Sequence, residues 1–460
     1  MLITDETICA IATARGMGAI ATIRVAGPKA IAITDSIFRS PKEGKKLSDA
    51  RGATLHYGTI YHNNTDIDEV VVSLYKAPHS FTGEDICEIS CHGSRVIQNE
   101  IITALIDNGA RMARPGEFTR RAFANGKMDL AQAEAVADLI ASESEAARRV
   151  ALKQMKGGVS NELKALRDKL LHFCTLLELE LDFPDEDVEF ADRTELVQLI
   201  HTIIDVISKL KNTFRLGNAI KTGIAVAIVG PTNAGKSTLL NALLGEERAI
   251  VSDIQGTTRD CIEDTITIDG LLFRFIDTAG LRKSDDPIEK IGISRSYGQI
   301  AAADIVLVMV DGAATTESEI AALVNDVKAH AEQSQKIITI YNKSDISNVN
   351  SNAASSDDTV HISAKKGDGL DELRKLLVKT VDASNLSDNQ TIITNQRHYE
   401  ALARSLDGLN NVLQGLNDGI SGELISFDTR EVLNELGSIT GEITSQDVLN
   451  NIFKNFCIGK

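Results

Sequence analysis

Residues 224–243 read IAVAIVGPTNAGKSTLLNAL, an apolar run that passes through a glycine-bounded loop directly into a helical segment. Few folds accommodate that order. The run is short and β-branched, as a strand covered on both faces is. Gly230 and Gly235 let the loop curl so that successive N–H groups converge at a helix N-terminus, which makes an anion cradle. Asn233, Ala234, Gly235, Lys236, Ser237 and Thr238 line it. In this pattern the lysine reaches outer phosphates and the Ser237 hydroxyl suits Mg²⁺.

The surrounding sequence supports a nucleotide site. From 222 to 380, strand-like runs (IAVAIVG, LLFRFIDT, DIVLVMVD, KIITIYN, TVHISA) alternate with helical segments, which predicts a parallel sheet wrapped by helices. Asp277-Thr278-Ala279-Gly280 ends one strand, offering a carboxylate to hold magnesium through water and an N–H beside a γ-phosphate. Asn342-Lys343-Ser344-Asp345 ends another. The Asp345 carboxylate can accept from both N1–H and the 2-amino group of guanine, a pair that adenine does not present. Ser363-Ala364-Lys365 ends the next strand, where a backbone N–H can meet guanine O6. The base expected is guanine and the nucleotide GTP.

Between loop and DTAG lie Ser252, Asp253, Ile254, Gln255, Gly256, Thr257 and Thr258. Thr258 supplies the second magnesium-ligating hydroxyl, in a segment able to order on GTP and relax after hydrolysis. Ras-like switches carry glutamine just after DTAG to orient the attacking water. Here that position is Leu281, so hydrolysis must draw on another group. Glu289 is the candidate catalytic carboxylate. Asn233, with Ser252, Ile254 and Thr257, is a candidate shell for K⁺, whose charge would replace an arginine finger.

The rest of the chain divides by period. Residues 1–122 alternate in short runs with two helical stretches, 28–38 and 95–108, giving a mixed α+β domain. In 123–215 the period is helical, with Leu163, Leu166, Leu170, Phe173 and Leu177 on one stripe. Segment 222–382 is the α/β unit, and in 383–460 Leu402, Leu406, Leu409, Leu413 and Leu416 form a second stripe. The two helical parts are expected to meet, with the α/β domain inserted between them. The tail SQDVLNNIFKNFCIGK reads as helix up to Gly459.

Cys87, Cys91 and His92 lie close together, but DICEISCH reads as a strand with both cysteines on one face, and no second ligand pair follows. Six cysteines in 460 residues make no disulfide framework. No run approaches the roughly 18 apolar residues of a membrane span, and the N-terminus lacks a secretion pattern, so a cytoplasmic protein is expected. The net charge of −17 opposes nonspecific nucleic-acid binding, so contact with RNA requires a local patch or a basic partner.

The segments GAIATIRVAG, SFTGEDICEISCHG, RPGEFTRRAFANGKMDLAQAEAVADLI, GPTNAGKSTLLN, DIQGTTRD, DTAGLR, EKIGI and CIGK, in this order, resemble the MnmE (TrmE) family of tRNA wobble-uridine modification GTPases. The resemblance covers essentially the whole chain. It implies an N-terminal α+β folate-binding and dimerisation domain, an α-helical domain, and a Ras-like P-loop GTPase domain inserted in it. It further implies a homodimer, a heterotetramer with the FAD-dependent protein MnmG (GidA), and tRNA as substrate. An aminomethyl or carboxymethylaminomethyl group would be added at C5 of the wobble uridine, using 5-formyl- or 5,10-methylene-tetrahydrofolate, in a cycle driven by potassium-stimulated GTP hydrolysis. The family's folate positions fall on Arg24, Glu88, Lys127 and Lys460. Cys457 occupies the place of its terminal cysteine, with a nucleophilic role and packing beside the folate both open. Thr232 and Ser252 depart from residues common in the family, and these departures leave Lys236, Ser237, Thr258, Asp277 and Asp345 in place. The residues also admit a ribosome-assembly or other regulatory GTPase, although such factors lack the N-terminal domain and CIGK.

Overall fold

The computed structural model describes residues 6–14, 16–182, 193–246, 264–276, 298–332, 335–346, 358–381, 391–454 and 456–459. The chain gathers into two compact units, one of residues 1–137, 154–191 and 414–460 and another of 138–153 and 192–413.

The first unit contains a seven-stranded sheet of β1 (Ile8–Ile11), β2 (Ile20–Ala26), β3 (Phe38–Arg39), β4 (Thr54–His62), β5 (Thr65–Tyr75), β6 (Ile86–His92) and β7 (Arg111–Met112). The order is β3-β4-β5-β6-β2-β1-β7, antiparallel except where β1 meets β7. Alternation sorts the side chains. Ile23 and Val25 of β2, Val70 and Val72 of β5, and Cys87, Ile89 and Cys91 of β6 share one core with residues of the helices Ala30–Ser36 and Arg95–Asp107. Both thiols lie on that buried face, and burial pushes Cys87 up to about 12 and Cys91 to about 11. β4 and β5 join through Asn63-Asn64, both left-handed, a turn whose twist suits a tight hairpin.

An ion network ties β7 to the helix Glu117–Ala124. Arg111 grips Glu117 with two parallel bonds of 2.8 and 2.6 Å, and its Nε reaches Glu6 at 2.6 Å. Arg121 joins Glu117 at 3.2 Å and Glu84 at 3.1 Å. Burial opposes ionisation of Glu117, yet the Arg111 fork, the Arg114 N–H and Arg121 together hold its carboxyl down at about 2.

The predicted stripe on Gly158–Asp182 is buried, with Leu163, Leu166, Leu170, Phe173 and Leu177 each at most 4% exposed. Each such side chain contributes roughly 1.5–3 kcal/mol on burial. The helix it meets is Gly422–Thr440, so segments from either side of the α/β sequence do pack together. Cys174 Sγ lies 3.3 Å from Ser426 Oγ, and Arg167 pairs with Glu442. In Gln396–Asp418 the second stripe is only half right: Leu402, Leu409 and Leu416 are buried with Ser405 and Val412, while Leu406 and Leu413 are partly exposed.

The C-terminal helix is shorter than its pattern predicts. It spans Gln446–Lys454, and Phe456 N–H bonds back to Phe453 O at 3.1 Å. Folding back lets the Phe453 and Phe456 rings, 5.2 Å apart, bury against Leu130 and Ala133, a gain that continued helix would forgo.

The second unit holds a six-stranded sheet of β8 (Ile224–Val229), β9 (Asp264–Ile268), β10 (Leu271–Phe275), β11 (Ile305–Asp311), β12 (Lys336–Asn342) and β13 (Thr359–His361), ordered β13-β12-β11-β8-β10-β9. It is parallel except for β9, an antiparallel edge strand that the sequence reading passed over. All six residues of β8 are buried, with Val226 and Ile228 in one apolar cluster and Ala227 and Val229 in another. The helix Glu317–His330 starts with a capping box, in which Thr316 and Glu319 satisfy each other's end groups. The helices Lys236–Glu246 and Leu370–Thr380 also belong to this unit. Because β8 has parallel neighbours on both sides, the crevice at its C-terminal end is where an open α/β sheet binds ligands.

Candidate functional site

That crevice holds the glycine-bounded loop. Gly235 has φ +98°, and a Cβ there would collide with Asn342 Nδ2, so both conformation and space require glycine. Asn233 is left-handed as well, with φ +64°. Lys236 opens the helix Lys236–Glu246 and folds over the loop, its Nζ donating to Gly230 O at 2.7 Å and Pro231 O at 2.9 Å. Ser237 is half-buried beside it and Thr238 is exposed.

β12 and β13 build the other side. The Asn342 carboxamide donates to Ala234 O at 2.7 Å and accepts from Ala364 N at 2.9 Å. One buried side chain thus clamps the phosphate loop to the segment after β13. Lys343, left-handed at φ +64°, extends its ammonium to Asp311 Oδ2 at 2.6 Å. Asp311 was missed from sequence. No sequence signal marks it, because the contact arises only where β11 ends in register with Asn342, the neighbour of Lys343. Ser363 Oγ donates to Asp345 Oδ1 at 2.8 Å, while Lys366 Nζ stands 3.7 Å from Oδ2. The Ser363 bond lowers the Asp345 carboxyl below its ordinary range against a smaller opposing effect of burial. Ser363 N–H bonds Asp368 O, Ala364 N–H bonds Asn342, and Lys366 N–H bonds Ser363 Oγ. Lys365, exposed between them, has no bond drawn to its N–H among the described residues.

Ser252, Asp253, Ile254, Gln255, Gly256, Thr257, Thr258, Asp277, Thr278, Ala279, Gly280, Glu289 and Lys460 lie outside the described residues.

A second cluster lies on the N-terminal sheet. Arg24 and Glu88 face each other across β2 and β6, and Arg24 Nε and Nη2 both contact Glu88 Oε1, at 2.8 and 2.7 Å. The guanidinium stands 5.2 Å from the Phe81 ring centre and 5.6 Å from that of Phe118. Its Nη1 donates to Gly459 O at 3.3 Å. Gly459 has φ +100°, and a Cβ there would collide with Ile11 O, so the tail lies close against β1. Cys457 is exposed, and its carbonyl accepts from Gly116 N at 3.4 Å. Lys127 donates to Pro78 O at 3.0 Å, on the loop that also carries Phe81. The structure therefore joins Arg24, Glu88 and the C-terminal tail directly, and Lys127 reaches the loop that carries Phe81.

An open α/β sheet carrying this phosphate loop and this clamp defines a Ras-like P-loop GTPase. A family model described as the MnmE helical domain matches residues 130–457, and one described as the GTP-binding protein TrmE N-terminus matches residues 7–127. The chain belongs to the MnmE family of tRNA modification GTPases. The tRNA modification GTPase MnmE of Bacteroides fragilis (strain ATCC 25285) is 52% identical over 99% of this chain and 100% of its own. That of Bacteroides thetaiotaomicron is likewise 52% identical over the same shares, and that of Parabacteroides distasonis 53% over 99% and 100%. Among solved structures, the G domain of the T. maritima FeoB iron transporter covers 34% of this chain and 98% of its own at 23% identity, with a TM-score of 0.25.

Proposed function

We propose that this GTPase couples hydrolysis to the addition of an aminomethyl or carboxymethylaminomethyl group at C5 of the tRNA wobble uridine. The observation that carries the nucleotide part is the Ser363–Asp345 contact, which keeps Asp345 ionised as a double acceptor for N1–H and the 2-amino group of guanine. The N–H of Lys365 then serves guanine O6, since its neighbours are engaged. Lys236 leaves the two carbonyls it now holds and meets the outer phosphates. Asn233, Ala234, Gly235, Lys236, Ser237 and Thr238, the segments 252–258, 277–280 and 363–365, and Asn342, Lys343 and Asp345 make up the GTP site.

Mg²⁺ would be held by Ser237 and Thr258, and K⁺ by Asn233, Ser252, Ile254 and Thr257. Hydroxyl, carboxamide and carbonyl oxygens suit both hard cations. Bound there, they would supply positive charge to the phosphates where Ras-like enzymes use an arginine. Glu289 orients and polarises water in the absence of glutamine at Leu281.

Arg24, Glu88, Lys127 and Lys460 are proposed to take 5-formyl- or 5,10-methylene-tetrahydrofolate. Cations suit the glutamate tail, and a carboxylate suits the donor-rich pterin edge. The half-buried Phe81 ring beside Arg24 fits a flat heterocycle, and the fully buried Phe118 backs the guanidinium from within the core. The working assembly is a cytoplasmic homodimer that forms a heterotetramer with the FAD-bearing MnmG (GidA). In it, residues 1–122 bind folate and dimerise, 123–215 and 383–460 form the helical domain, and 222–382 form the GTPase domain. Such a partner answers the net charge of −17 by presenting basic surface to tRNA.

Nucleoside analysis of total tRNA from a strain lacking the gene tests the assignment. The expected result is loss of 5-aminomethyl-type wobble uridines, restored by the wild-type chain but not by Glu289→Ala. Unchanged wobble uridines in the deletion strain would remove the modification role.

A further inference from the structure

The parallel sheet has a second opening, at the end opposite the nucleotide loop. A cavity of about 500 Å³ is lined by Ile224, Ile305 and Lys336, the first residues of β8, β11 and β12. At about 3.3 Å per residue, the six residues of β8 separate it from Gly230 by about 20 Å. Its other walls come from both ends of the α/β segment. Leu216 and Ala219 belong to the helix Phe214–Thr222 that leads into β8, and Val381 and Ile392 follow the last helix of that segment, Leu370–Thr380.

The lining is apolar at its base and cationic at its rim. Lys209, Arg215 and Lys336 stand against a single carboxylate, Asp304, which already accepts from Ala225 N at 3.0 Å. All three cations are exposed, and none has an ion-pair partner among the described residues. The local excess runs against a chain whose net charge is −17. Helix polarity accounts for only part of it. Lys209 sits in the last turn of Arg193–Asn212, where the macrodipole favours a cation. Arg215 sits in the first turn of Phe214–Thr222, where a cation is disfavoured, and no acidic side chain accompanies it there. The preceding Thr213 gives that helix no side-chain cap, since its hydroxyl donates to Leu210 O at 2.6 Å and accepts from Ile393 N at 3.0 Å. Among the described residues, a helix N-terminus, Lys209, Arg215 and Lys336 therefore surround an apolar hollow whose one lining carboxylate is Asp304, leaving a local excess of positive charge.

We infer that this cavity binds a small amphipathic anion, an aliphatic or aromatic body with one acidic head group. Ile224, Ile305, Leu216 and Ile392 take the body, and Arg215 and Lys336 take the head. The volume is that of a site for a compact ligand rather than for a protein segment. Since the segments leading into and out of the α/β region both line the cavity, its occupant bridges them at a distance from GTP.

The test uses the full chain and 1-anilinonaphthalene-8-sulfonate, an anionic aromatic probe, with its uncharged relative N-phenyl-1-naphthylamine as control. Saturable binding of the sulfonate at one site per chain is expected, weakened about tenfold or more by Arg215→Glu with Lys336→Glu, while the uncharged probe is affected far less. Both positions are exposed, and unchanged GTP binding by the double variant shows that it is folded. Hexanoate and hexyl phosphate are then added as competitors, and the better displacer identifies the head group. The inference is overturned if sulfonate binding is indifferent to the charge reversal, if both probes lose equally, or if neither competitor displaces it.

Discussion

Asp345, the proposed reader of guanine, has one carboxylate oxygen held by the Ser363 hydroxyl, which stabilises its charge. In the proposed site, replacing that carboxylate by a carboxamide converts one acceptor into a donor facing the guanine 2-amino group. For Asp345→Asn, GTP affinity is expected to fall about 100-fold, corresponding to roughly 3 kcal/mol of lost charge-assisted bonding, with preference moving to XTP. Competition against a fluorescent GDP analogue measures this, and an unchanged guanine preference would misplace the base pocket. At this scale the sequence was legible wherever the chemistry lies in a contiguous run, as in Gly230–Ser237 and Asn342–Asp345. It was silent where two distant residues meet. Asp311 reaches Lys343 only because β11 and β12 are parallel and in register, and although the family resemblance grouped Arg24 with Glu88, their direct pairing arises only across β2 and β6.

Among elements, the joint between β7 and the helix Glu117–Ala124 depends on ionisation. Glu117 is held at about 2, whereas an unfolded glutamate titrates near about 4.3. A carboxyl depressed in this way contributes stability that is complete above the unfolded value and is lost as pH falls through the folded one. The network's contribution, on the order of 2–3 kcal/mol, should therefore drain away between about pH 4.5 and pH 2. Glu117→Gln is expected to destabilise the chain by a similar amount at neutral pH and to flatten its stability across that acid window. Urea unfolding at a series of pH values checks both, and a variant retaining the wild-type slope would show that Glu117 is not the titrating group. The strands and most helices were readable from alternation and period, but two ends were not. The β9–β10 hairpin announces itself only through Asp269-Gly270, both left-handed, between two short apolar runs. The C-terminal helix stops at Lys454 because tertiary burial of Phe456 outweighs local helical pattern.

Over the whole molecule, hydrolysis is expected to follow the monovalent cation present. With Leu281 in place of a water-orienting glutamine, the proposed Asn233 shell makes GTP turnover faster in potassium than in sodium at equal ionic strength, by roughly tenfold or more if the cation replaces an arginine finger. Phosphate release assays in the two buffers decide it, and equal rates would discard the potassium shell. The apolar stripe on Gly158–Asp182 was legible, but it packs against Gly422–Thr440 rather than pairing with the second expected stripe, which lies on Gln396–Asp418, because the choice of partner helix depends on three-dimensional fit. The bond from Arg24 to the Gly459 carbonyl spans 435 positions of sequence. On a ribosome adding roughly 5–20 residues per second, the N-terminal sheet emerges some tens of seconds before that carbonyl exists. During that interval Arg24 can pair with Glu88 but not with the tail. The cluster is therefore a late product of translation, and a chain cut short before Gly459 carries the sheet without its closing strap.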